Sequence, residues 1–264
     1  MRMTKKMKSL RATLEVKDDG ETVKLTVPFS EKSSVKKDIA RIKLPLMDIT
    51  GGWQPAEHVF LTVPSLSWKH VIQAHPFTIA TQVPNPRDSD VGLELLIRAQ
   101  DGFSKDLLTF AKSHNSVQVW LDGPYGSQSL IDILGTSDLA IFVAGGSGIS
   151  VTWPLLGAFL ESRADDVEGE RATLHRKKAL FVWIVNKKSH LSWMEKDALH
   201  AMQDRGVEIV IPEPTSEKGR PAIPELITSW IQKTEHEILG APAELAVVGC
   251  GPEIFWSYEL KIGV

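Results

Sequence analysis

The sequence predicts a two-part chain of β plus α/β class, an antiparallel β-barrel followed by a parallel-sheet α/β domain. Three observations carry that expectation. Between Leu10 and Asp122 the apolar residues fall in short β-like runs separated by proline, glycine and aspartate. After Tyr125 strand-like runs alternate with helical stretches, the rhythm of a parallel sheet. The changeover lies near residues 126–136, where Gly126, Ser127, Gln128 and Ser129 read as a connector. The expected domains are therefore 10–126 and 136–264.

Taken in order, the predicted strands of the first domain are 12–16 (ATLEV), 22–27 (TVKLTV), 39–44 (IARIKL), 58–63 (HVFLTV), 77–82 (FTIATQ), 92–99 (GLELLIRA) and 117–122 (VQVWLD). In the second, LAIFVA at 139–144 precedes a helix opening near Ser150. ALFVWIV at 179–185 precedes a helix near Trp193–Met202, VEIVI at 207–211 one near Pro224–Lys233, and ELAVVG at 244–249 a final turn. The charged stretches Glu161–Lys178 and Glu213–Arg220 read as solvated loops.

Composition narrows the function classes. A length of 264 residues with 42% hydrophobic content buries a substantial core. A net charge of -3 gives no electrostatic footprint for nucleic acid. The single cysteine, Cys250, excludes an internal disulfide framework and a multi-cysteine zinc site, and no metal site is expected. Arg2, Lys5, Lys6, Lys8 and Arg11 form a basic run without a signal-peptide apolar core; they are either a solvated terminus or a juxtamembrane stretch on the cytoplasmic side. The uncharged segment Leu139–Leu160 is long enough to span a bilayer, but Gly145, Gly146, Gly148, Gly157, Ser147, Ser150 and Pro154 divide it into a strand, a turn and a helix. The chain as given is expected to be soluble.

Several motifs carry chemistry. Gly145, Gly146, Ser147, Gly148 and Ile149 follow a hydrophobic strand and precede a helix, where glycines admit a pyrophosphate and helix amides favour its charge. A turn serving only packing is the alternative. A serine-hydrolase elbow fails, since Ile149 stands where its last glycine would. Lys187 and Lys188 end the next strand; they either pair with a 2′-phosphate or are solvated. Cys250, Gly251 and Pro252 close the last α/β strand at the sheet's carboxyl edge, where a small side chain leaves room for a nicotinamide ring or is buried structure. In the β half, His75, Pro76, Phe77 and Thr78 combine an imidazole, a ring that can stack and a hydroxyl that can hydrogen-bond. Arg98 with Gly102, Phe103 and Ser104 supplies a guanidinium and a turn with free amides, suited to a pyrophosphate. Taken singly, each of these also fits a structural role.

Their order is more specific than any member. HPFT, an arginine on a strand, GFS, DGPYG, GGSGI, GRP and CGP, from Trp53 to Pro252, resemble the flavin and NADPH region of fungal ferric-chelate reductases (metalloreductases) and NADPH oxidases, within the ferredoxin-reductase fold. The resemblance implies an FAD-binding barrel and an NADPH-binding α/β domain. It places Thr78 near the flavin N5, Phe77 against the ring, and His75 and Pro76 beside them. Arg98, Gly102, Phe103 and Ser104 would meet the FAD pyrophosphate. Asp122, Gly123, Pro124, Tyr125 and Gly126 would form the interdomain turn. Gly145 to Ile149 would cradle the NADPH phosphate, with Gly219, Arg220 and Pro221 near the nucleotide and Cys250, Gly251 and Pro252 flanking the nicotinamide. Trp53-Gln54-Pro55-Ala56-Glu57-His58-Val59 resembles the family's W-x-P-G-Q-H-V, departing at Ala56 and Glu57.

The implied activity is electron transfer from NADPH through FAD to haem in a membrane domain of the parent, at the cytoplasmic face of the plasma membrane, and on to ferric iron or copper. The alternatives are the corresponding region of a superoxide-forming NADPH oxidase and a truncated, non-catalytic nucleotide-binding or regulatory fragment. The family continues past CGP to a terminal aromatic over the flavin, so the α/β domain is expected to be C-terminally incomplete, with Trp256 or Tyr258 as substitutes. The remaining histidines show no haem-ligand spacing, and His70 and His75, five apart, do not share a helix face.

Overall fold

The computed structural model describes residues 9–28, 52–82, 92–162, 177–235 and 244–252. The predicted strand at 39–44, the basic residues Arg2 to Lys8, most of the 161–178 stretch, and Trp256 and Tyr258 lie outside them. The chain divides into two compact units, Met1–Ser127 and Gln128–Val264.

In the first unit, β1 (Ser9–Val16), β2 (Thr22–Pro28), β3 (His58–Thr62), β4 (His75–Thr78), β5 (Gly92–Arg98) and β6 (Ser116–Tyr125) form an antiparallel sheet among the described residues, in the order β4-β3-β6-β1-β2-β5. Alternate residues of β1, β5 and β6 are buried, as expected of strands with one face on a core. The two edge strands meet. Ile79 bridges Leu95, the Ala80 amide donates to the Glu94 carbonyl at 2.8 Å, and the Glu94 amide donates to the Thr81 hydroxyl at 2.9 Å. That closure makes the sheet a barrel, filled by Val23, Leu25, Val59, Leu61, Leu93, Leu95, Ile97, Val119 and their neighbours.

Three expectations change here. The predicted strand at 77–82 instead begins at His75 and ends at Thr78. Beyond Ile79, Thr81 is taken up by side-chain bonds, its carbonyl accepting from the Trp53 indole at 3.3 Å. The GFS turn opens a helix, α1 (Phe103–Ala111), whose Phe103, Leu107 and Leu108 join the barrel core. The segment from Asp122 to Tyr125 is no turn between domains: it is the end of β6, with Phe60 opposite Asp122 and His58 opposite Tyr125.

The second unit holds β7 (Leu139–Gly145), β8 (Lys178–Ile184), β9 (Val207–Val210) and β10 (Leu245–Cys250), parallel, in the order β10-β7-β8-β9. β7 is buried throughout and β8 nearly so, because helices cover both faces. On one face α3 (Ile149–Glu161) sets Phe159 edge-on to Phe142 at 6.0 Å and Trp153 edge-on to Phe181 at 5.6 Å. On the other, α6 (Ile223–Glu235) sets Ile227 and Trp230 against Ile141, Val143, Leu180 and Val182.

Here too the boundaries move. The expected connector at 126–136 is helical from Ser129, as α2 (Ser129–Thr136), with Leu134 buried and Leu130 and Ile133 exposed. The helix expected at Trp193–Met202 is a 3-10 turn at Lys188–Trp193 followed by α4 (Lys196–Asp204). The 213–220 stretch holds a short helix, α5 (Thr215–Lys218). No described helix is long and apolar enough to cross a membrane.

Candidate functional site

Strand register sorts the HPFT residues onto two faces. In an antiparallel pair, residues directly opposite share a face. His75 stands opposite Leu61 and Phe77 opposite Val59, both core residues, whereas Pro76 stands opposite Phe60 and Thr78 opposite His58. The His75 and Phe77 rings therefore lie on the core side, where His75 stacks on Phe103 at 4.2 Å and Phe77 tilts toward the same ring at 6.0 Å. Thr78 lies on the outer face with His58, Phe60 and Tyr125, whose rings cluster at 5.5–6.0 Å. The Tyr125 hydroxyl donates to Asp122 at 2.7 Å.

Around this strand several groups suit a ligand. The Nε2 of His75 is buried and has no hydrogen-bond partner among the described residues. Burial, and then the neighbouring His70, push the His75 pKa down, so the ring is neutral at physiological pH. Gly102, at the N-terminal edge of α1, has φ +60° and nothing within 4 Å of where a Cβ would stand, which leaves its surroundings open. Phe103 offers only its backbone there, since its side chain is 5% exposed. The Ser104 hydroxyl accepts from the Gln100 amide at 3.0 Å, so it first secures the turn. Arg98, at the end of β5, is exposed and lies 3.7 Å from Glu21.

In the parallel unit the strand order reverses between β7 and β10, the place where open α/β sheets bind ligands beyond their carboxyl ends. The Gly146–Gly148 turn and the Cys250-Gly251-Pro252 turn meet at that point. A Cβ on Gly148 would overlap the Cys250 carbonyl oxygen and stand 2.6 Å from its carbon, so only glycine lets α3 approach β10. Gly146 serves differently, with φ +55° and open space around it. Its carbonyl accepts from the Trp183 indole at 3.2 Å, and the Ser150 hydroxyl donates to the Ser147 carbonyl at 2.9 Å. Two turn carbonyls are thereby occupied. Cys250 is half-buried, and burial pushes its thiol pKa up, so it stays protonated.

The loop after β8 is tied to α5. The Thr215 amide donates to the Val185 carbonyl at 2.9 Å, the Ser216 amide to the Asn186 carbonyl at 3.1 Å, and the Asn186 side chain to the Thr215 hydroxyl at 3.1 Å. These bonds bring the exposed Lys187 and the segment leading to the exposed Gly219 and Arg220 to the same end of the sheet. No cluster of three or more histidine, cysteine, aspartate or glutamate side chains fit to hold a metal occurs among the described residues.

The sequence reading overlooked α1, although Phe103, Leu107, Leu108 and Ala111 carry a helical period. It also overlooked the Trp183 bond to Gly146, and the contacts of His70 described below, for which spacing gives no signal.

Comparison with known proteins agrees with this geometry. Residues 22–129 match the FAD-binding domain family and residues 138–212 the ferric reductase NAD binding domain family. Among curated proteins the chain is 27% identical over 159 residues to ferric/cupric reductase transmembrane component 7 of Saccharomyces cerevisiae, covering 59% of this chain and 22% of that protein. It is 26% identical over 191 residues to ferric reductase transmembrane component 1 of Schizosaccharomyces pombe (57% and 31%), and 22% identical over 164 residues to NADPH oxidase 4 of Rattus norvegicus (58% and 26%). The match thus spans about a quarter of those relatives' length. Among solved structures, a ferredoxin NADP+ reductase from Neisseria gonorrhoeae with bound FAD and NADP is similar in fold, with TM-score 0.54 at 16% identity, covering 94% of this chain and 87% of that one. A flavohemoglobin from Malassezia yamatoensis gives 0.53 at 15%, covering 94% and 54%. Residues 22–129 therefore form a domain of the FAD-binding family and residues 138–212 one of the ferric reductase NAD binding family, in that order, in a chain whose fold is of the ferredoxin-reductase type.

Proposed function

We propose that this chain is the electron-input module of a ferric-chelate reductase. Residues 10–126 carry FAD and residues 136–264 bind NADPH. Electrons leave for haem in a membrane domain of the parent, and then for ferric iron or copper, with the module at the cytoplasmic face of the plasma membrane. The observation that carries the reading is the meeting of the Gly146–Gly148 and Cys250–Pro252 turns at the topological switch, in a chain whose preceding barrel presents the HPFT strand.

Bound FAD supplies the conversion of a two-electron donor into single-electron steps. The protein's own residues bind and orient. The Thr78 hydroxyl, on the outer face of β4, is available to the polar edge of a flavin ring, and the buried His75 Nε2 and the Gly102–Phe103 backbone to its phosphates. The glycine turn before α3 receives the nicotinamide nucleotide's pyrophosphate, while Lys187 and Arg220 favour a 2′-phosphate and hence NADPH over NADH. Cys250 is small and protonated, so it leaves room for a ring without competing as a nucleophile.

The similarity to NADPH oxidase 4 favours a second reading, in which oxygen is the final acceptor. One experiment addresses the module: purified chain is loaded with FAD, freed of excess flavin, and its visible spectrum recorded anaerobically before and after NADPH or NADH. Retained flavin that bleaches faster with NADPH is the expected result. A chain that holds no flavin, or holds it without bleaching, is a non-catalytic fragment, and the catalytic reading falls. Rejoined to its membrane domain, reduction of ferric chelate rather than oxygen distinguishes the first reading from the second.

A further inference from the structure

We infer that His70, fastened by Asp106, is a positioning residue for the proposed flavin site, clamping the His75–Phe103 stack so that His75 keeps its Nε2 available to a ligand. The inference rests on the flavin reading above and assigns that site a part outside the HPFT and GFS motifs.

His70 lies in a single 3-10 turn, Trp68–Val71, and is 5% exposed, while Trp68 and Ile72 on either side are 78% and 85% exposed. Those two apolar side chains do not hold the turn down. The imidazole does. Its Nε2 lies 2.9 Å from the Asp106 carboxylate on α1, and its Nδ1 lies 3.3 Å from the Gln73 side-chain oxygen just before β4. Gln73 is itself fixed, its carbonyl accepting from the Thr62 hydroxyl at 3.1 Å. The His70 ring stands edge-on to Phe103 at 5.3 Å and 84°, and edge-on to His75 at 6.1 Å and 69°.

One side chain therefore ties together the approach to β4, the first turns of α1 and the stack between them. These elements carry the groups proposed for the flavin ring and for its pyrophosphate. A buried imidazole needs its hydrogen bonds to offset desolvation, and an apolar residue would fill the same space at lower cost. What the imidazole adds is direction. It fixes two elements by bonds of defined geometry and presents an edge to two rings. His75 needs such support, because its Nε2 is buried without a hydrogen-bond partner among the described residues.

The test is a double-mutant cycle on the full chain, with FAD affinity read by flavin fluorescence and the visible band shape as a second readout. The Asp106 side chain is 55% exposed, so Asp106→Ala leaves the core intact. Asp106→Ala and His70→Leu should each weaken FAD binding about tenfold in a chain with native His75, and Asp106→Ala should change it less than twofold in the His75→Ala background. His70→Gln, whose amide can donate to Asp106, should recover most of the loss. Additive effects of Asp106→Ala and His75→Ala, or an Asp106→Ala chain that binds FAD as wild type does, would overturn the positioning role while leaving the flavin site standing. A wild-type chain that does not bind FAD overturns the flavin reading and this inference together.

Discussion

Ala56 occupies a turn built for glycine. The Glu57 amide donates to the Gln54 carbonyl at 3.2 Å, closing a four-residue turn with Pro55 and Ala56 in its middle, and Ala56 has φ +65°. Proline followed by a residue of positive φ is the type II pattern, whose third position is held by glycine or asparagine. An alanine Cβ in the left-handed region costs roughly 1–2 kcal/mol. Replacing it by glycine relieves that strain but frees the unfolded chain, which returns roughly 0.4–1 kcal/mol. Ala56→Gly should therefore stabilise the barrel unit by about 0.5–1 kcal/mol, a rise in Tm of about 2–4 °C. The turn is otherwise well fastened, since the Glu57 carboxylate accepts from the Gln54 amide at 2.7 Å and Trp53 is 4% exposed beneath it. Differential scanning calorimetry of the two chains at matched pH measures the change. Ala56→Val should lower Tm by more than Ala56→Gly raises it, because a β-branched side chain tolerates positive φ least. An Ala56→Gly chain that melts at or below the wild-type temperature would refute the strained-turn argument.

The two glycines of the nucleotide turn should respond differently to alanine. Gly148→Ala drives a Cβ into the Cys250 backbone and should cost about 2–3 kcal/mol in denaturant unfolding, whereas Gly146→Ala, strained but unobstructed, should cost about 1 kcal/mol; equal losses would contradict the packing role. His75 makes stability depend on pH. Its folded pKa lies below the unfolded value of about 6.5, so the unfolded chain binds more protons and the contribution, complete above that value, is lost as pH falls through the folded pKa. Melting curves from pH 7.5 to 5 should show a smaller decline for His75→Phe than for wild type, and parallel declines would remove the assignment. Lys187→Glu or Arg220→Glu should weaken NADPH binding about tenfold and leave NADH binding within twofold, measured by titration calorimetry. Equal losses for both nucleotides would show that these side chains do not read the 2′-phosphate.

The sequence by itself determined the two halves and their chemistry. Alternating burial along GLELLIR and uninterrupted burial along LAIFVAG are consequences of period and composition, so a one-faced barrel strand and a two-faced parallel strand are distinguishable from sequence. The order of the motifs carried a resemblance, and the matches to the FAD-binding and ferric reductase NAD binding domain families agree with it. Helix α1 was legible in principle, but its glycine and serine read as a turn. What tertiary structure alone decided was which motif residues share a surface. Register put Thr78 and Phe77 on opposite faces of β4, and strand order, not proximity in sequence, brought Gly148 against Cys250. His70 illustrates the limit most directly. Its partners at Gln73, His75, Phe103 and Asp106 come from a loop, a strand and a helix, and contacts between elements carry no period for a sequence to display.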